Sequence, residues 1–227
     1  MYWYKYMEKK YAEELVNYGK IRINSLNYYR DIELHGKAVG DEAENTLNAV
    51  SVIKGSKTGD QLNELERMFF KSAPGVDSAT WAIANATFLF PLQGRPTYGY
   101  CLSDALSQEL LERMNYENQL VGNPPYDTCV RIKDHVSFVR LLSKHLIDKN
   151  LRYYGHGHCS YRTRDIPWEE WRRRGQQCPA FVKDSSYAWQ KEVRVLFETR
   201  SHDDFEPIDI VIGGLVDLCE IVEVNQP

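Results

Sequence analysis

The sequence predicts an α+β fold, a mixed and largely antiparallel split β-sheet with flanking helices. Three observations carry this reading. Strand-like segments crowd both ends of the chain, amphipathic helical segments lie among them, and no regular βα alternation, repeat or low-complexity tract occurs. With 227 residues, 43% of them apolar, one domain over residues 1–227 is expected to bury a sizeable core.

Taken in order, Tyr2 to Tyr6 reads as a short strand. The helix after it sets Ala12, Leu15 and Val16 on one face and stops at Gly19. Lys20 to Asn24 alternates polar and apolar residues as a returning strand, and Ser25 to Arg30 follows as a turn or short helix. From Gly36 to Asp60 the chain is rich in Gly, Asn and acidic residues. That predicts a loop-rich surface excursion at about 36–60, around one strand near Leu47 to Ile53. Leu62, Leu65, Met68 and Phe69 then recur at helical spacing, ended by Pro74-Gly75.

Phe88 to Pro91 and Tyr98 to Leu102 read as a hairpin about a Gly94–Pro96 turn. Ser103 reads as the N-cap of a helix burying Leu106, Leu110 and Met114. Thr128 to Ile132 is a strand, and Asp134 caps a helix that turns Val136, Val139, Leu142 and Leu146 inward. Arg152 to Tyr161, Glu192 to Phe197, Ile208 to Ile212 and Glu220 to Val224 supply the remaining strands.

Composition narrows the function. Five scattered cysteines without CxxC spacing fit reduced thiols and a cytoplasmic setting. There is no secretory h-region and no apolar run of roughly eighteen residues, so no membrane segment is expected. A net charge of -4 argues against a general basic coat for nucleic acid but permits a local patch. The 15 Tyr and 5 Trp suit a site that stacks a flat ligand, or simply fill a half-exposed sheet.

Three stretches carry candidate chemistry. In Trp189-Gln190-Lys191-Glu192-Val193-Arg194-Val195, strand alternation puts Glu192 and Arg194 on one face and the valines on the other. Either the pair faces solvent on an edge strand, or Tyr187 and Trp189 wall a functional carboxylate. The second stretch is Tyr28-Tyr29-Arg30 with Glu33 and Gly40-Asp41-Glu42-x-Glu44. There Arg30 suits a phosphate and a tyrosine suits a flat ring; alternatively Arg30 pairs with Glu33 and the acidic cluster solvates a loop. The third runs from Arg162 through Arg164, Trp168 and Trp171 to Arg172, Arg173 and Arg174. It reads as a contact for single-stranded nucleic acid, or as an amphipathic helix whose indoles pack inward and whose arginines pair with Glu169 and Glu170. His156 and His158 share a strand face without a second ligand pair, so no metal is expected there. P-loop, GxGxxG, GxSxG and HExxH signatures are all missing.

The order of short motifs resembles a bacterial family associated with phage defence and toxin–antitoxin loci, distant relatives of ADP-ribosyltransferases, some of which modify nucleic acids. The motifs are Tyr4-Lys5-Tyr6, Gly19-Lys20-Ile21-Arg22-Ile23, Tyr28-Tyr29-Arg30-x-x-Glu33, Gly40-Asp41-Glu42-x-Glu44, Tyr100-Cys101-Leu102-Ser103, Phe181-Val182-Lys183, Trp189-x-x-Glu192-x-Arg194 and Ile210 to Leu215. The resemblance implies a split sheet clasping NAD as co-substrate and a catalytic Glu192 on a late strand. It also implies Tyr28 or Tyr29 on nicotinamide, Arg30 on the pyrophosphate, Lys5 or Tyr6 by the adenosine half, and Ser103 as a further contact. A carboxylate there stabilises the oxocarbenium-like state reached as the nicotinamide–ribose bond breaks. The implied acceptor is nucleic acid, RNA ahead of DNA, with an antitoxin or chaperone as a further partner.

Two rivals stand beside this expectation. One is a non-catalytic module that senses a nucleotide or a phage protein. The other is a metal-dependent nuclease using Glu33, Asp41, Glu42, Glu44 and Glu192.

Overall fold

The computed structural model describes residues 2–31, 38, 40–71, 82–173, 178–199 and 206–224. The protein is α+β, with mostly antiparallel sheets and several helices. Strand β1 (Trp3–Met7) leads into helix α1 (Lys9–Tyr18), which buries Ala12 and Leu15. Gly19 ends that helix at φ 68°, returning its N–H to the Leu15 carbonyl. A Cβ there would lie 2.0 Å from the Ile212 carbonyl oxygen, so glycine is required twice over at this point. Strand β2 (Lys20–Ser25) and a 3-10 turn (Leu26–Arg30) follow.

Next come β3 (Thr46–Thr58), α2 (Glu64–Lys71), β4 (Ala82–Gln93), β5 (Thr97–Ser103), α3 (Gln108–Leu120) and β6 (Thr128–Ile132). Helix α4 (His135–Leu146) is capped by Asp134, whose carboxylate accepts from the N–H groups of Val136 and Ser137. Strands β7 (Leu151–His158), β8 (Ser160–Tyr161) and β9 (Asp165–Pro167) precede α5 (Trp168–Arg173) and β10 (Val182–Lys183). A 3-10 turn (Ser185–Gln190) delivers the chain to β11 (Glu192–Thr199), and β12 (Ile208–Val211) and β13 (Cys219–Val222) complete the described elements.

The main sheet runs β12-β2-β5-β1-β6-β13, with β11 and then β7 beyond β5, and every pair in it is antiparallel. Strand β5 is its branch point. Along one edge it pairs with β11 from Thr97 to Ser103. Its other edge is shared: β2 meets it at Gly99 and Tyr98, and β1 meets it at Ser103. Between those contacts Tyr100, Cys101 and Leu102 have no strand neighbour, so the sheet forks there.

One face of this sheet carries the main core. Tyr98, Tyr100, Leu102, Val193, Val195 and Phe197 alternate inward and meet Leu15 of α1 and Phe138, Leu142 and Leu146 of α4. On the opposite face α3 packs Leu110 against Tyr6 and Cys129. A second sheet, β4-β3-β9, buries Leu47 against Ile166, Ala49 against Leu65 and Trp168, and Ile53 against Leu62 and Phe88. Among the described residues the parallel pairs are β3 with β9 and β10 with β8.

Several expected details differ. The stretch expected as a surface excursion contains a 13-residue strand, and Asp41, Glu44 and Asn45 before it are buried, because Arg164 and Arg194 compensate the two carboxylates. Strands β4 and β5 do not form a hairpin: β4 pairs with β3, while the almost wholly buried β5 takes neighbours on both edges. Ser103 ends β5 instead of capping a helix. Pairing with Tyr4 and Glu192 extends the strand through it, so α3 starts later with Ser107 as its cap and Leu106 exposed. Val136 is exposed because Phe138, Leu142 and Leu146 define the buried stripe of α4, and it lies off that stripe in the first turn, nearly opposite Phe138. Met68 and Phe69 are exposed, leaving Leu62 and Leu65 as the buried anchors near α2. Glu33, the Pro74-Gly75 stop and Arg174 lie outside the described residues. Among the described residues no helix is long and apolar enough to cross a membrane.

Candidate functional site

The fork in the sheet opens into a cleft of about 530 Å³, within the roughly 300–1,000 Å³ of small-molecule sites. Seven of the 15 tyrosines line it, so much of its wall is aromatic surface with hydroxyl handles. Glu192, the first residue of β11, stands opposite Ser103 in register, and Tyr4 of β1 stands opposite Ser103 on the other side. The strand pairing alone therefore brings three polar side chains into one row across the sheet.

Glu192 is held at both ends of its carboxylate. Arg194 Nε donates to Oε1 at 2.6 Å and Lys183 Nζ donates to Oε2 at 2.7 Å, while the Glu192 N–H donates to the Tyr161 hydroxyl at 2.6 Å. Arg194 also reaches across to the start of the second sheet, giving Nη1 and Nη2 to the two oxygens of Glu44 at 2.7 and 2.8 Å, and Nη1 to the Ala180 carbonyl. Lys183 gives a further bond to Gln190 Oε1 at 2.6 Å and lies over the Tyr187 ring. Arg194 and Lys183 are almost completely buried, so this is a paired, buried network of two carboxylates and two cations.

Burial by itself would raise the Glu192 carboxyl, but the Arg194 and Lys183 charges and their hydrogen bonds outweigh it and hold the group well below the usual carboxylate range. Glu192 is thus an anion at neutral pH. Burial pulls Lys183 down, and the Glu192 charge reverses the direction, leaving the ammonium raised. The Cys101 thiol, beside this network, is pushed up to about 12 chiefly by burial and next by the Glu192 charge.

Of the residues expected around NAD, Lys5, Tyr6, Tyr28, Tyr29 and Ser103 line the cleft with Glu192. Lys5 Nζ donates to the Cys101 carbonyl at 2.8 Å, on the stretch of β5 that the fork leaves without a strand. Burial lowers the Lys5 ammonium, opposed by Cys101 and Glu192. The Tyr6 hydroxyl is spent on structure: it donates to the Ala105 carbonyl at 2.9 Å and accepts the Ser107 N–H at 2.8 Å, pinning the start of α3. Tyr29 is buried, with its hydroxyl accepting from Asn24 Nδ2 at 2.8 Å, and half-buried Tyr28 meets its ring edge-on at 5.8 Å. Ser103 Oγ donates to the Gln190 carbonyl at 3.2 Å and accepts from the Ala105 N–H. Arg30 is not part of the cleft lining; its Nε donates to the Glu44 carbonyl at 3.0 Å.

The arginine–tryptophan stretch is not brought together as one surface. Arg164 is buried, pairing with Asp41 and donating to the carbonyls of Ala43 and Thr46. Trp168 is buried and stacks on Trp171 at 5.3 Å. Arg162 stands 3.8 Å from Glu170, Arg172 3.4 Å from Glu169, and Arg173 Nε donates to the Glu169 carbonyl. Arg172 and Arg173 keep exposed side chains. The carboxylates Asp41, Glu44 and Glu192 are each matched to a cation, and among the described residues no group of three His, Cys, Asp or Glu side chains is set to hold a metal.

Sequence reasoning missed Lys183, Gln190 and Asn24 as site residues. A lysine between Phe181-Val182 and an Asp carries one usable signal, a charge inside an apolar run, but its partner Glu192 is found only through the fold. Comparison with protein-family models, with curated proteins and with solved structures finds no match for the chain.

Proposed function

We propose that this chain is an NAD-dependent ADP-ribosyltransferase with a split-sheet fold of that kind, transferring ADP-ribose to nucleic acid, RNA ahead of DNA, as a cytoplasmic toxin of anti-phage defence restrained by an antitoxin or chaperone. The observation that carries the reading is the fork in β5. It opens a cleft of sufficient volume, walls it with tyrosines and leaves an ionised Glu192 on its lining. Tyr28 offers a ring for nicotinamide, and Lys5 and Ser103 stand on the strands that flank the fork.

A carboxylate whose proton affinity is this low suits charge stabilisation and ribose positioning better than proton abstraction. Arg194, Lys183 and the Cys101 thiol take three of the roughly four lone-pair sites of the carboxylate, and a ribose hydroxyl is a donor that fits the remaining one. The nucleic-acid acceptor rests on the resemblance and on exposed Arg172 and Arg173.

The test follows nicotinamide release from NAD with RNA, DNA or protein added, with and without EDTA. Glu192→Gln keeps the shape and removes the charge; it is expected to lower release by about 10²–10³-fold, while EDTA leaves wild type unchanged. Absence of release under every condition would sink the proposal. Arg172→Ala with Arg173→Ala is expected to flatten the salt dependence of single-stranded nucleic-acid binding by about 0.7 in log–log slope per lost phosphate contact. A second reading, a nucleotide sensor without turnover, is favoured by the cations already bound to both Glu192 oxygens; it binds NAD and releases nothing.

A further inference from the structure

Two residues lining the cleft carry a buried polar atom without a hydrogen-bond partner, Tyr100 through its hydroxyl and Asn24 through Oδ1, and Asn24 is the one bonded to the Tyr28–Tyr29 wall. Asn24 of β2 donates through Nδ2 to the Tyr29 hydroxyl at 2.8 Å, and its Oδ1 is buried with no hydrogen-bond partner. A buried acceptor left unmade is costly, so it marks a place where something else is meant to donate. Strand pairing fixes the position of Asn24: it stands opposite Gly99, where Leu26 and Leu196 fill the space a side chain would take. Tyr29 lines the same cleft as Glu192, and its hydroxyl is raised chiefly by burial. Half-buried Tyr28 lies edge-on to Tyr29 on the same cleft wall.

We propose that Asn24 is a specificity-determining residue whose Oδ1 accepts an N–H from a primary carboxamide on a flat ring lying against Tyr28. This rests on the transferase reading of the cleft and names which feature of NAD is checked. A carboxamide satisfies the orphan acceptor, whereas a carboxylate in its place presents an oxygen to an oxygen inside a buried site. The chain therefore takes the amide form of the dinucleotide and rejects the acid form.

The experiment measures affinities by titration calorimetry for carba-NAD, its nicotinic-acid counterpart and ADP-ribose, against wild type, Asn24→Leu and Asn24→Asp. Wild type is expected to prefer the amide by about 10- to 100-fold, the effect of one buried hydrogen bond. Asn24→Leu loses that preference, Asn24→Asp keeps or widens it, and ADP-ribose binds all three alike. Asn24→Asp keeps a contact with Tyr29 only by accepting from its hydroxyl, the reverse of the wild-type bond, so thermal melts of both variants control for misfolding. Equal wild-type affinity for amide and acid overturns the inference and leaves the transferase reading standing. A fall in ADP-ribose affinity with Asn24→Leu also overturns it, by placing Asn24 against the adenosine half. If wild type binds none of the three, the transferase reading itself fails and the inference with it.

Discussion

Replacing Arg194 with Met removes the cation that joins the two sheets while keeping most of the side-chain volume. Arg194 makes hydrogen bonds to Glu192, to both oxygens of Glu44 and to the Ala180 carbonyl, and it is 1% exposed. Without it, two buried carboxylates face Lys183 alone. Breaking a buried pair from one side costs about 3–5 kcal/mol, a large part of the roughly 5–15 kcal/mol that holds a typical domain together. For a chain of this size that corresponds to a melting temperature lower by about 6–20 °C.

The deficit also has a pH signature. In wild type the Glu192 carboxyl lies below its unfolded value, so its stabilisation is complete above the ordinary carboxylate range of about 4.3 and is lost as pH falls through the folded value. Without Arg194 that depression weakens and Glu192 takes up its proton at higher pH. The gap between variant and wild type is therefore widest near pH 7 and narrows toward pH 4. Urea titrations at the two pH values measure it. A deficit under about 1 kcal/mol, or one of equal size at both pH values, would refute the claim that this network joins the sheets.

Gly19→Ala places a methyl carbon 2.0 Å from the Ile212 carbonyl at a φ of 68°, so the chain must shift locally; thermal melts should show a loss above the about 1 kcal/mol of an ordinary αL substitution. Asp134→Ala removes the acceptor for two N–H groups at the start of α4 and is expected to cost about 1 kcal/mol, a fall of about 2–4 °C in melting temperature. Lys183→Met is expected to destabilise and to raise the acidic limb of nicotinamide release, because it removes one of the two charges that hold Glu192 ionised; Lys183→Arg restores the limb. Release profiles of the two variants from pH 4 to 8 decide it.

Local patterns were legible in the sequence, and pairings across the fold were not. The strand Thr128–Ile132 and the Asp134 cap followed from alternation and from the position of a carboxylate just before an apolar stripe, both short-range effects. The alternation of Glu192 and Arg194 with two valines showed that the pair shares a face. It did not show that β11 is an inner strand between β5 and β7. The acidic run at Asp41 to Glu44 looked solvated because its partners Arg164 and Arg194 lie more than a hundred residues away. Ser103 was misplaced for a related reason: a serine before a helical pattern reads as a cap, and only strand pairing claims it for β5. The fork had no local signal at all, since it arises from two strands sharing one edge of a third.

That Arg194 serves both the cleft and the seam between the sheets has a consequence for how the protein tolerates change. Glu192 cannot lose its partners without loosening the joint, so many inactivating substitutions would leave the cell with less protein instead of an inert copy of it. A lineage that ceases to need this site is then expected to lose the chain altogether, and copies that persist are expected to keep the four-residue charge network intact.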